Sequence, residues 1–178
     1  MKRTFTLIEL VVVIVILGII AAILFPLDQH LHSRSGKSVA CLSNAKQQGL
    51  GLMMYTQDYD EYFPPAEKWM TLMMPYMKDK THYRCPTALD ETPKAVSNYA
   101  MDTRLSGKSL NKLKEPASRA LAYDSTRTDW DATDPGQTFA PRHNEGKQGS
   151  LVFADGHAKQ VSREQFFAAS EQQPARGK

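Results

Sequence analysis

Several things are missing from this chain, and each absence narrows what it does. No internal repeat is present, so solenoid and propeller architectures are out. No motif sets a serine or cysteine up as a nucleophile. There is no Cys-x-x-Cys pair and no Cys/His ligand spacing, which leaves no ready-made zinc framework. Net charge is only +3, and Lys2 and Arg3 account for two of those charges (+3 − 2 = +1 without them). A chain so nearly neutral has no electrostatic footprint for nucleic acid, and no nucleic-acid partner is expected. Only two cysteines occur, Cys41 and Cys85.

What is present is concentrated at the start. Met1-Lys2-Arg3-Thr4 is a short basic leader, and Val11 to Phe25 carries no charge. Phe5 to Phe25 is 21 residues. As a helix it is roughly 31 Å long at 1.5 Å per residue, matching a hydrocarbon core of about 30 Å. Its many β-branched residues weaken a helix in water, but lipid forces internal backbone bonding. Lys2 and Arg3 place the N-terminus in the cytoplasm, and everything after Pro26 on the outer side. The run is too long for a secretory signal, and Phe25-Pro26-Leu27 is a poor cleavage site for one. Glu9 stands at the head of this segment, where a carboxylate is costly unless it is paired or reaches the interface.

Thr4-Phe5-Thr6-Leu7-Ile8-Glu9-Leu10 resembles the N-terminal motif of type IV prepilins and type II secretion pseudopilins. The resemblance implies cleavage by prepilin peptidase between Thr4 and Phe5, N-methylation of Phe5, and a filament-assembly role for Glu9. The family usually has Gly before the cut, where this chain has Thr4. Gly18 and Pro26 fall where the family often carries a helix-loosening Gly and a kink Pro. A free amine at Phe5 is a cation, so a Glu9 carboxylate from one subunit suits the Phe5 amine of a neighbour, and a shielded pair of this kind favours one axial register between helices. The partners implied are prepilin peptidase, other pilin or pseudopilin subunits, an inner-membrane assembly platform and the lipid bilayer.

Cys41 and Cys85 then lie on the oxidising side of the membrane, where a disulfide is the default reading. It closes a loop of about 45 residues, worth on the order of 4 kcal/mol in the chain-entropy model. Between Gly36 and Tyr59 the small and apolar residues Val39, Leu42, Ala45, Gly49, Leu52 or Met53, and Thr56 mark one helix face, with Lys37, Asn44, Lys46, Gln47 and Gln57 on much of the rest. One long helix is expected, bent at Pro26. Trp69, Leu72, Met73 and Tyr76 predict a short amphipathic helix over Glu67 to Met77, cut short by Pro75. Val96 to Met101 and Arg119 to Tyr123 read as strands. Ser150 to Ala154 and His157 to Val161 flank Asp155-Gly156, a two-residue turn signal.

Pro141-Arg142-His143-Asn144 with Asp155-Gly156 resembles the C-terminal H-X9-DG signature of prepilin-type processing-associated proteins. Cys41 to Gln47, Tyr55 to Tyr59 and Cys85-Pro86 look like that group as well. Eleven residues, not nine, separate His143 from Asp155 here. His143, Asp155 and His157 are also a candidate metal set, although Asp155 more simply fills its turn and His143 braces it. Asp124, Asp129, Asp131 and Asp134 surround Trp130 in a polar loop. Such oxygen-rich loops hold calcium in some pseudopilins, but the spacing fits no defined calcium loop, so a solvated loop is favoured and no cofactor is expected.

The expected architecture is α+β: a long N-terminal helix, both membrane anchor and stem, packed on a small antiparallel sheet in a pilin-like arrangement. The domains read as leader 1–4, transmembrane helix 5–25, stem 26–59, head 60–167 and a flexible tail 168–178. The expected location is the inner membrane, single-pass, with the head on the periplasmic side. Three functions are on the table. The first is a filament subunit that is not an enzyme. The second is an unprocessed anchored protein whose head binds carbohydrate or a partner. The third is a metal-dependent enzyme head using His143, Asp155 and His157.

Overall fold

A computed structural model describes the backbone at residues 7–32 and 34–171, with side chains described at 7–23 and 35–170. Two compact units divide at Gly36 and Lys37. The first holds α1, Leu7–His32. Its described side chains are exposed and almost all apolar, Leu7 to Ile23. Pro26 does not end the helix, because a proline forfeits one backbone bond and leaves the others intact. Among the described residues, no helix is long and apolar enough to cross a membrane. Residues 7–23 span about 26 Å of helix, short of the about 30 Å of a hydrocarbon core. The expected span over 5–25 extends beyond the described side chains at both ends.

The second unit takes in α2 (Arg34–Asp58) from Lys37 onward, followed by α3 (Trp69–Met77), a one-turn α4 (Pro86–Leu89), β1 (Tyr99–Asp102), β2 (Ala120–Asp124), β3 (Thr133–Asp134), β4 (Gln148–Phe153), β5 (Ala158–Ser162) and α5 (Arg163–Glu171). The strands form one sheet in the order β3-β1-β2-β4-β5. The arrangement is α+β and pilin-like, as expected. One detail differs: β3 runs parallel to β1, so the sheet is mixed rather than antiparallel.

The sheet is buried on both faces. On one side Tyr99, Met101, Leu121, Ala122 and Val152 pack with Cys41, Ala45 and Leu52 of α2 and with Trp69, Met70 and Met73 of α3. On the other, Ala100, Ala120, Tyr123, Leu151 and Phe153 pack with Phe139, Val161, and Phe166 and Ala169 of α5. Neighbouring residues go to opposite faces, as the strand period of two requires. Leu121 and Ala122 share a face because a register shift between Ala120 and Ala122 breaks that alternation.

Several expected details shift. The buried residues of α2 are Cys41, Ala45, Gln48, Gly49, Gly51, Leu52, Tyr55 and Thr56, while Val39 is 64% exposed. Three side chains of that helix hold the chain after α3 in a ladder. Gln48 Nε2 donates to His82 O (2.7 Å) and Asn44 Nδ2 to Arg84 O (2.8 Å), and Lys37 Nζ pairs with Asp90 (2.7 Å). Asn44 is thus a tether rather than a solvent-facing residue. Pro75 does not cut α3 short; it sits in the last turn, and the helix ends at Lys78 with φ 60°. Residues 168–171 of the expected tail are helical, since α5 runs to Glu171 and buries Ala169 and Ser170. A capping box starts it: Gln165 N donates to Ser162 Oγ (3.3 Å), and Ser162 N donates to Gln165 Oε1 (3.0 Å). Residues 172–178 lie outside the described ones.

Asp131 serves the start of α3. It accepts from Met70 N (2.6 Å), Thr71 N (3.0 Å) and Thr71 Oγ1 (2.6 Å) across about 60 residues of sequence. Asp131→Ala leaves those first-turn N–H groups without their acceptor. It should lower unfolding free energy by about 1–2 kcal/mol, read as a fall in the urea midpoint. An unchanged midpoint would show that water replaces the carboxylate at no cost.

Candidate functional site

The two cysteines meet. Cys41 in α2 is bonded to Cys85, which stands just before α4, with Cα atoms 4.9 Å apart. Both are fully buried, and neither is left as a free thiol. Cys85 N donates to Asn98 Oδ1 (3.2 Å), and the Tyr99 hydroxyl donates to Cys41 O (3.1 Å). Burial pushes that hydroxyl well above the ordinary tyrosine range. The negative charge of Asp124 adds to the shift, and Arg142 opposes it.

His143 lies beside the disulfide, its Nε2 3.9 Å from Cys85 Sγ. The same nitrogen is 2.9 Å from Asp124 Oδ2, and both side chains are wholly buried. A carboxylate only accepts, so Nε2–H is the donor. Ser150 N donates to the same oxygen at 2.6 Å. Asp124 ends β2, Ser150 is in β4, and His143 forms an isolated bridge with Gln148. One carboxylate therefore ties the segment before β4 to the centre of the sheet, against the disulfide.

The signature residues expected to act together do not. Asp155 is in the β4–β5 turn, where its Oδ1 accepts from His157 N (3.1 Å) and lies 2.6 Å from His157 Nδ1. His157 stacks on Phe153 with ring centroids 4.2 Å apart. His143 is bound to Asp124 instead and braces the 143–148 turn, not the Asp155-Gly156 turn. Among the described residues, the only group of three or more His, Cys, Asp or Glu side chains with converging ligand atoms is Cys41, Cys85 and His143. The set His143, Asp155, His157 does not assemble.

Gly156 has a different task. The turn holds three residues between Phe153 and His157, whose backbones bond (Phe153 N to His157 O, 2.9 Å), rather than the two expected. Gly156 takes φ +88°, which glycine adopts without a steric penalty. Its back meets α2: a Cβ there would stand 2.4 Å from Met53 Cγ, and a Cβ on Gly49 would stand 2.1 Å from Gly156 O. The Asp-Gly tip is a glycine-on-glycine contact with α2.

The four aspartates around Trp130 disperse. Asp124 is buried with His143, Asp129 pairs with Arg127 (2.7 Å), and Asp131 caps α3. Asp134 accepts from Gly136 N, Gln137 N, the Tyr123 hydroxyl and Thr138 Oγ1. Burial works to raise its pKa, but the bonds from Thr138 and Tyr123 outweigh it and hold Asp134 below the usual carboxylate range. Each of these carboxylates has at least one oxygen engaged by a protein donor, and the four converge on no common point. The Asp124–His143 pair escaped sequence reasoning because its members sit on different elements. The sheet order that brings β2 and β4 together is its only signal.

Thr4 and Phe5 lie outside the described residues; Glu9 is in the first turn of α1. Residues 3–25 match the family model of the prokaryotic N-terminal methylation motif. His143, Asp155 and Gly156 fall outside that match. No curated protein and no solved structure matches the chain. Over residues 3–25 the chain is thus similar to type IV prepilins and pseudopilins, which carry this motif.

Proposed function

We propose that this protein is a pseudopilin or minor pilin-like structural subunit, not an enzyme, that assembles into a filament of the type II secretion or type IV pilus kind. The observation that carries the reading is the methylation motif at residues 3–25, with Glu9 in its place at the head of an exposed apolar helix. Cleavage between Thr4 and Phe5 leaves a methylated cation at Phe5. Until assembly, the helix anchors the chain in the inner membrane with the head outside. In the filament, helices bundle and Glu9 meets the Phe5 amine of a neighbour. The burial of the head's reactive side chains lends this reading further support. Both cysteines are spent in a disulfide, and the His143–Asp124 pair is enclosed and serves as a brace.

The assembly step has its own test. Cells carrying prepilin peptidase and the platform should yield a cross-linked ladder of this subunit. Glu9→Ala should abolish the ladder while leaving N-methylation intact. A ladder of equal strength from Glu9→Ala would favour the anchored monomer whose head binds a partner.

A further inference from the structure

Cys41 Sγ, Cys85 Sγ and His143 Nε2 lie within 4.8 Å of one another, all on buried residues. Asp124 Oδ2 is 2.9 Å from that nitrogen. Two polar atoms of the cluster, Asp124 Oδ1 and His143 Nδ1, are buried with no hydrogen-bond partner among the described residues. Such atoms are costly in a core and call for an explanation. In the disulfide form the sulfurs are bonded to each other and ligate nothing.

We propose that the reduced protein binds one zinc ion through Cys41, Cys85 and His143, whose ligand atoms converge. The donor set is two thiolates and an imidazole, which leaves one position of a tetrahedral zinc site to water. Zinc bonds of about 2.0–2.3 Å set neighbouring ligand atoms about 3.3–3.8 Å apart in a tetrahedron. Cys85 Sγ and His143 Nε2 are already 3.9 Å apart. The ion takes the place of the hydrogen on Nε2, which moves to Nδ1, and Asp124 stays beside the site as a countercharge. Ser150 N–H already donates to the carboxylate and orients it.

The redox step balances with a dithiol reductant. Two electrons from the dithiol break the Cys41–Cys85 bond and give two thiols, while the reductant becomes a disulfide. Zinc then displaces the two thiol protons. A disulfide oxidant reverses the step, reforms the bond and releases the metal. The site thus belongs to the chain before its disulfide closes and disappears once it does.

The test uses the full chain in detergent, reduced with a phosphine and titrated with cobalt(II). One cobalt per chain is expected, with thiolate-to-cobalt charge-transfer bands and tetrahedral visible bands that added zinc bleaches. The disulfide form should show none. His143→Gln, shown to be folded in its disulfide form, should bind cobalt at least tenfold more weakly after reduction. If the reduced chain loses its near-UV circular dichroism, zinc should restore it. A reduced chain that takes up no cobalt, a cobalt spectrum indifferent to His143→Gln, or a lost fold that zinc does not restore would each overturn the proposal. None of these readouts depends on N-terminal processing, so the filament reading stands or falls separately.

Discussion

Replacing both cysteines, Cys41→Ser with Cys85→Ser, should remove about 4 kcal/mol of stability. The bond closes a long loop, its ends 44 positions apart in sequence, and so restrains the unfolded chain strongly. It also completes a tether that runs along α2. Lys37, Asn44 and Gln48 each hold a point between His82 and Asp90, and Cys41 supplies the covalent link among them. The polar contacts beside it are buried, so two serine hydroxyls there need partners the site does not supply. Small domains have only about 5–15 kcal/mol in all. The double variant should therefore melt on the order of 10 °C lower. A change under about 1 kcal/mol in a urea titration would mean that the ladder alone fixes the loop.

The second large effect is at Gly49. Gly49→Ala should destabilise by about 3 kcal/mol, because overpacking against a backbone cannot be relieved by turning a side chain. The added Cβ would meet Gly156 O at 2.1 Å, Gly156 C at 3.0 Å and Val152 Cγ1 at 3.2 Å. Gly156 is fixed in turn, since its N–H bonds to Phe153 O (2.9 Å) and its φ is positive. Either the β4–β5 turn lifts off α2 or α2 shifts and strains the disulfide side. Leu50→Ala is the matched control: Leu50 is 59% exposed, and its change should stay within about 0.5 kcal/mol. Equal melting temperatures for the two variants would show that the contact is loose in solution.

These predictions rest on features of unequal visibility in the sequence. The helix of α2, the hairpin of β4 and β5 and the cysteine pairing are legible because each follows from local spacing or compartment. The strands β1 and β2 are less so. Tyr99–Asp102 and Ala120–Asp124 are buried on both faces, which erases the alternation that marks a half-buried strand. Thr133–Asp134 is too short to leave a pattern, so its parallel pairing with β1 is set by the fold. α5 left a readable sign in Ser162-Arg163-Glu164-Gln165, a capping box ahead of Phe166. At the candidate site, His143 stands out in the sequence but its partner does not. Asp124 looks like one of four loop acids, and only the pairing of β2 with β4 turns it inward. Gly156 reads as a turn former; its second duty against Gly49 needs the packing of the hairpin on α2.

The same limit applies at the other end of the chain. The motif around Glu9 is visible in one dimension because a peptidase reads it as a string. Its consequence, a subunit released from its leader into a filament, depends on whether Thr4 serves where the family usually has Gly. The most direct test is the intact mass of the full chain after co-expression with a prepilin peptidase. The account predicts a product that begins at Phe5 and carries one methyl group on its terminal amine. A product that still begins at Met1 would contradict it and leave the chain an anchored protein whose work lies in its head.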